Sequence, residues 1–351
     1  MRNLVVFIFL ILFNFSNSQF RNLDVSNDSI LNQKYESFIK FKEIKDHSLF
    51  NNSYAGFYND QYLREVPFQL RKYNNYNYLK IETAANNIYG LAISPIGFWL
   101  MIHENNKTIP YFIGIAQDQF IHIKIPSKVP MIKNDKLQLE CSIIMQTRLG
   151  SRPVISNEDL PAYKVLKDNL LLSIDLDLIK KDSDGDGYND LFEKYIGLNP
   201  KSKDSDNDGI NDNEDFNPLY KSINNEYTTA FNKTINGGYI HKFENAKTVI
   251  EPIFVKEFQV DPDSDPFKFD IYTVENNVLK NIDPKTKRIL IFNRNYEKTN
   301  FNITHSTYKD IKKTNDNEFK IISAFESGSS SSNISKEGND WILHLISAAV
   351  Y

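Results

Sequence analysis

The sequence predicts a mainly β chain with α+β character: an N-terminal antiparallel β-sandwich, an acidic connector, and a C-terminal α+β domain ending in a β-meander. Three observations carry this. From about Asn74, apolar residues recur at every second position in short runs bounded by Gly, Pro and Asn. At Asp182 the alternation gives way to a dense run of carboxylates that ends at Pro218. The last block, Phe319–Tyr351, reads as strand, hairpin, strand, hairpin, strand. A chain of 351 residues accommodates two such domains, and 41% apolar and 13% aromatic residues mark it as globular.

The first element, residues 1–18, has the pattern of a secretory signal peptide. Arg2 supplies the positive start, Leu4–Phe13 is a continuous apolar run, and Ser16 and Ser18 are the small residues of a cleavage site after Ser18. The run is short for a bilayer span, so an uncleaved N-terminal anchor is the lesser alternative. The mature chain is expected to be exported (periplasmic, cell-surface or extracellular) with no transmembrane segment after cleavage.

Asn27–Lys45 carries a loose helical pattern. The runs NYLKIE, IYGLAIS, GFWLMI, YFIGI, QFIHIKI and KLQLECSII then read as six strands of a sandwich or small barrel. In QFIHIKI, Ile121, Ile123 and Ile125 share one face, and Phe120, His122 and Lys124 the other. Cys141 is the only cysteine, which excludes an intramolecular disulfide; alternation with Leu137, Leu139 and Ile143 makes it a buried small hydrophobe rather than a catalytic thiol. LLSIDLDLIKK, with Leu172, Ile174, Leu176 and Leu178 alternating, predicts a strand closing the first domain (19–181) near Lys181. Residues 219–238 read as a polar linker ending in the Gly237–Gly238 turn, and 239–351 as the C-terminal domain, with RILIF a strand and Ser329–Ser332 at a turn and edge.

The acidic segment raises an electrostatic problem. Asp182–Asp215 holds eleven acidic residues against Lys194, Lys201 and Lys203, a net charge of −8 in a chain of −4, so the remainder sums to +4. Like charge at that density opposes a compact fold unless a cation sits within it. The order of residues is that of a twelve-position cation loop: Asp182, Asp184 and Asp186 at positions 1, 3 and 5, Gly187 at the sharp turn, the Tyr188 carbonyl at 7, Asp190 at 9 and Glu193 at 12. Calcium is a hard ion that takes six to eight oxygens, and a wrapping chain converges alternate side chains on it. A second loop starts 22 positions on: Asp204, Asp206, Asp208, Gly209, the Ile210 carbonyl, Asp212 and Asp215. Its twelfth ligand is Asp, one methylene short of Glu, so the second of the two calcium sites is expected to be the weaker. After the first loop, Leu191, Phe192, Tyr195 and Ile196 have helical spacing, with Gly197 placed for a C-terminal cap and Pro200 preventing continuation.

The stretches DSDGDGYNDLFE and DSDNDGINDNED, each followed by Asn-Pro (Asn199–Pro200 and Asn217–Pro218), resemble the thrombospondin type 3 repeat and related dockerin-like, EF-hand-like calcium loops of exported proteins. The resemblance covers about a tenth of the chain. It implies calcium at Asp182, Asp184, Asp186, Asp190 and Glu193, and at Asp204, Asp206, Asp208, Asp212 and Asp215. The cysteines common in animal versions are absent, so their bracing is not implied, and only one of the two helices of a true dockerin is visible.

No catalytic constellation accompanies the loops. His47, His103, His122, His241, His305 and His344 form no HExxH pair, and there is no G-x-S-x-G elbow or phosphate-binding glycine loop. VDPDSDPF (Val260–Phe267) alternates Asp261, Asp263 and Asp265 but has Pro266 where the turn glycine belongs, which reads as a plain acidic loop. The aromatics Tyr73, Tyr76, Tyr78, Phe98, Trp99, Tyr111 and Phe112 read first as core and second as a sugar-stacking platform. The expectation is a non-enzymatic exported protein in which calcium rigidifies a connector, binding a protein or carbohydrate ligand and no nucleic acid. A glycan-active hydrolase with structural calcium and a protein-docking module are the rivals.

Overall fold

A computed structural model describes residues 37–45, 62–94, 96–116, 121–148, 162–236, 265–285, 287–293, 307–325, 328–338 and 340–350. The expected signal segment, most of the Asn27–Lys45 pattern, the Gly237–Gly238 turn, His47, His241, His305, Asp261 and Asp263 lie outside them. The chain divides into two compact units, residues 1–181 and 182–351. Both are mostly β.

In the first unit the strands are β1 (Lys40–Glu43), β2 (Asn77–Ala84), β3 (Asn87–Ile93), β4 (Gly97–Glu104), β5 (Lys107–Ala116), β6 (Ile121–Ile123), β7 (Ile132–Lys133), β8 (Lys136–Arg148) and β9 (Ala162–Asp175). They form an antiparallel sheet β2-β3-β4-β5 and a second sheet β1-β9-β8-β6, with β7 also on β8. Asparagine sets the tightest corners: Asn105–Asn106 between β4 and β5 both have positive φ (50° and 62°), the conformation a two-residue hairpin needs. One apolar core draws on both sheets, joining Leu91, Leu100 and Ile113 to Ile123, Leu139, Cys141 and Leu172.

Tyr73, Tyr76, Tyr78, Phe98, Trp99 and Phe112 are all buried. Trp99 lies between Tyr76 and Phe112 at 5.5 Å from each and donates Nε1–H to Ser94 Oγ at 2.9 Å. These rings are packed and satisfied, and present no open stacking face.

Two local expectations are corrected here. Within the helical pattern of Asn27–Lys45, Lys40–Glu43 is strand β1, hydrogen-bonded along β9 from Lys40↔Ser173 to Glu43↔Leu170. A weak local period yields to an available sheet edge. The strand read through Leu178 stops at Asp175, and α1 (Leu176–Lys180) follows. Leu176 and Ile179 are buried at helical spacing whereas Leu178 is exposed, and Lys180 pairs with Glu104 at 3.0 Å.

The second unit contains α2 (Asp190–Ile196), α3 (Glu226–Asn236), β10 (Asp270–Val274), β11 (Ile289–Asn293), β12 (Thr307–Asn315), β13 (Glu318–Phe325), β14 (Gly328–Glu337) and β15 (Asp340–Val350). The sheet order is β11-β10-β12-β13-β14-β15, with β10 parallel to both neighbours and β12–β15 an antiparallel meander. Helix α3 falls in the span read as linker. Asn225 Oδ1 caps it by accepting the Thr228 N–H at 3.0 Å, and Phe231 packs on Tyr272 at 5.1 Å. Ser329–Ser332, expected at a turn and edge, run inside β14 between β13 and β15. Small side chains fit a strand paired on both sides, so composition there was a poor guide to position.

Candidate metal centre

The acidic segment folds as two copies of one loop. In the first, Asp182 Oδ2 accepts the Gly187 N–H at 3.1 Å, Asp184 Oδ1 the Asp186 N–H at 3.1 Å, and Asp186 Oδ1 the Tyr188 N–H at 2.7 Å. The same bonds recur 22 positions later: Gly209 N–H on Asp204 Oδ2 (2.8 Å), Asp208 N–H on Asp206 Oδ1 (2.9 Å) and Ile210 N–H on Asp208 Oδ1 (3.0 Å). Gly187 and Gly209 have φ of 108° and 100°, left-handed values that oppose a side chain. Backbone N–H groups thus hold both oxygens of Asp182 and of Asp204, and one oxygen each of Asp184, Asp186 and Asp206, whose Oδ2 is left buried without a partner.

One serine completes each loop. Asp190 takes the Ser183 N–H at 2.7 Å and O–H at 2.8 Å on its two oxygens, and Asp212 takes the Ser205 N–H at 2.9 Å and O–H at 2.6 Å. Sequence reasoning missed this clamp, although the Ser after the first Asp in both DSD triplets is its visible mark.

Helix α2 follows as the spacing predicts. Gly197 caps it at φ 93° with its N–H on the Glu193 carbonyl at 2.9 Å, while Phe192, Glu193 and Ile196 are buried.

Among the described residues, three groups of carboxylate oxygens lie within 4.8 Å of one another: Asp182 with Asp184 and Asp186; Asp186 with Glu193 and Asp212; and Asp204 with Asp206 and Asp208. The second group crosses the loops. Asp212, at position 9 of the second loop, meets Asp186 and Glu193 of the first, and all three are buried. Asp190 and Asp215 fall outside these groups; Asp215 is buried and accepts the Asn217 N–H at 2.9 Å. Ile210 is exposed, and Tyr188 is fully buried.

Glu193 is the most telling residue. It is 0% exposed, and neither carboxylate oxygen has a hydrogen-bond partner. Asp184, Asp186 and Asp206 each also have a buried, unpartnered Oδ2. A buried carboxylate lacking donors is strongly unfavourable unless a cation or proton joins it. Burial pushes the Glu193 carboxyl up to about 9, with the charges of Asp184, Asp186, Asp212 and Asp190 adding to it. Burial raises Asp186 to about 7 against the Tyr188 N–H, again helped by neighbouring aspartates, and Asp206 likewise reaches about 7. The oxygens are positioned, desolvated and short of positive charge, and as a set these acidic clusters can hold a metal ion.

Both loops are built into the second unit. The Tyr188 ring contacts Phe192 and Phe267 at 5.0 and 5.1 Å, and its O–H donates to the Pro266 carbonyl at 2.6 Å. Asn217 Nδ2 donates to the Lys280 and Ile282 carbonyls at 2.8 and 3.0 Å, and Arg288 donates to the Asp215 carbonyl at 2.7 Å. The Phe216 carbonyl accepts the N–H of Ile289, the first residue of β11, at 2.8 Å. A segment that reads as a connector is therefore packed against the strands of the unit that follows it. Asp265, the described member of the other alternating run, accepts the Phe267 N–H in a tight turn at 3.0 Å. No protein-family model, curated protein or solved structure matches this chain.

Proposed function

We propose that the acidic segment holds two calcium ions and that these brace the second unit of an exported, non-enzymatic protein acting in binding or scaffolding. The observation that carries the reading is Glu193, fully buried with both oxygens unpartnered beside Asp186 and Asp212. An all-oxygen donor set of carboxylates, with backbone carbonyls of Tyr188 and Ile210 at the seventh positions, is chemistry for a hard cation; no thiol or imidazole belongs to the set. Two ions bring +4 into a segment of −8, turning mutual repulsion into coordination.

Because the loops are bonded to Pro266, Lys280, Ile282 and Arg288, ion binding is coupled to the packing of the second unit. At about 1 mM calcium and a dissociation constant near 10 µM, mass action would stabilise the folded form by about 2.7 kcal/mol per site. The export reading rests on the pattern of residues 1–18. Among the described residues no helix is long and apolar enough to cross a membrane. The ligand class stays with the sequence expectation of a protein or carbohydrate, and the buried aromatic set gives no support to a glycan subsite.

Thermal melting of metal-stripped protein with calcium and with chelator tests this. A calcium-dependent rise in the second unit's transition supports it. Superimposable curves would sink it.

A further inference from the structure

The sheet of the first unit carries a buried polar group unrelated to the acidic loops. Ile121, Ile123, Leu139 and Cys141 face the core, so strand alternation sends His122, Lys124, Glu140 and Ser142 to the opposite face. His122 stands across from Ser142 in the β6–β8 register, and one step on, the Lys124 N–H donates to the Glu140 carbonyl at 2.8 Å. All four are buried: His122 8%, Lys124 5%, Glu140 3% and Ser142 0% exposed. Asp168 reaches the group from an irregularity in β9, next to Asn169 at φ 59°. Its Oδ1 receives Lys124 Nζ, the Ser142 O–H at 2.7 Å and the Asn169 N–H at 2.7 Å.

A buried lysine in contact with a partly buried carboxylate, and an acid on the strand between them, are the ingredients of amide formation. We propose that Lys124 Nζ and Asp168 Cγ join in a self-formed isopeptide bond, with Glu140 carrying the protons. The geometry supplies two of the three things the step requires, and the third, a proton carrier, falls to Glu140. The nucleophile already touches the carboxyl, which removes the entropy of encounter. The Ser142 O–H and Asn169 N–H converge on the oxygen that becomes the oxyanion. Glu140, buried on β8 between β6 and β9 and on the same face by strand alternation, is the group assigned as general acid–base.

The balance closes without any added reagent. One ammonium proton passes through Glu140 to Asp168 Oδ2, leaving a neutral amine and a neutral carboxyl. The Nζ lone pair attacks Cγ, the C–N bond forms, and negative charge develops on Oδ1. A second Nζ proton passes through Glu140 to Oδ2, the C–O bond breaks, and water leaves. Ion pair goes to amide plus one water, with nothing oxidised or reduced. The bond would tie the residue after β6 to β9 in a chain whose single cysteine permits no internal disulfide.

Intact-mass measurement and tryptic mapping of the denatured full chain test this. The expected result is a mass one water below that of the linear chain, a branched peptide joining Lys124 to Asp168, and no tryptic cleavage after Lys124. Asp168→Ala and Glu140→Gln should show the full mass and linear peptides. Linear peptides from the wild-type chain, or a water loss mapping elsewhere, would overturn the proposal and leave a buried ion pair. Because the wild-type mass decides on its own, a variant that fails to fold does not blunt the test. A branched peptide persisting in Glu140→Gln would overturn the role given to Glu140.

Discussion

The two acidic loops share a hydrogen-bond template and differ in depth. The first closes on a glutamate that is fully buried, and it runs into a capped helix and an aromatic cluster of Tyr188, Phe192 and Phe267. The second closes on Asp215 without an exit helix, and its Asp204, Asp206 and Asp208 are half-buried. A Cβ on Gly187 would meet Asn213 Nδ2 at 3.1 Å; one on Gly209 would meet nothing within 4 Å. Backbone bonds within a loop therefore organise the carboxylates equally well in both, and packing around the loop decides how unfavourable an uncompensated charge is. The first site is the one whose fold should respond most to a cation.

Glu193→Gln breaks this comparison most directly. It keeps the side chain's volume and removes a carboxyl that must take up a proton to be buried without a cation, so the metal-free protein should melt higher than wild type at neutral pH while one calcium ion is lost from the stoichiometry. Melting curves with chelator, read beside calorimetry, check both signs. If Glu193→Gln binds two ions as tightly as wild type, the depth of the first site has been misread.

Asp212→Asn sharpens the comparison. Although it lies in the second loop, Asp212 meets Asp186 and Glu193, so the substitution should weaken the first site, by about 10–100-fold if it behaves as supporting ligand-shell changes commonly do. Calcium titration of Asp212→Asn beside Asp204→Ala separates the two loops. If only the site that Asp204→Ala removes is weakened, the loops are independent.

A control lies in the second unit away from the loops. Lys309 is 4% exposed, with its Nζ 5.2 and 5.3 Å from the Phe231 and Tyr272 ring centres and donating to Thr234 Oγ1 at 2.6 Å. Burial pushes its pKa down from 10.5 to about 7, Lys287 adding to the effect and Asp270 opposing it. Between those values the unfolded chain holds the proton and the folded chain does not, so stability should rise with pH across that window, with the full penalty below it. Lys309→Met should flatten the rise equally with and without calcium. A calcium-dependent slope would tie Lys309 to the loops.

The smallest effect is expected of Tyr188→Phe. It removes the O–H bonded to Pro266 but leaves the ring in place, which should destabilise the calcium-loaded form by about 1 kcal/mol in denaturant unfolding.

Much of this was legible in the sequence because it is local. Aspartates at alternate positions, a glycine at the turn and the apolar spacing of Leu191–Ile196 each depend on near neighbours alone. The strands of the first unit were readable for the same reason, as period two with asparagine corners. What was not legible depends on distant partners. Asp212 looks like a ligand of its own loop until the fold brings Glu193 beside it. Lys40–Glu43 becomes a strand only because β9 offers an edge. The stretch after Asp175 turns helical because Leu176 and Ile179 find burial there. The segment 182–218 reads as a tether because the residues that hold it, Pro266, Lys280, Ile282 and Arg288, lie far along the chain.

The most direct measurement is a calorimetric calcium titration of metal-stripped protein. Two bound ions, one lost in Glu193→Gln, are the predicted result. No heat of binding at millimolar calcium would contradict it and leave the acidic segment a solvated loop.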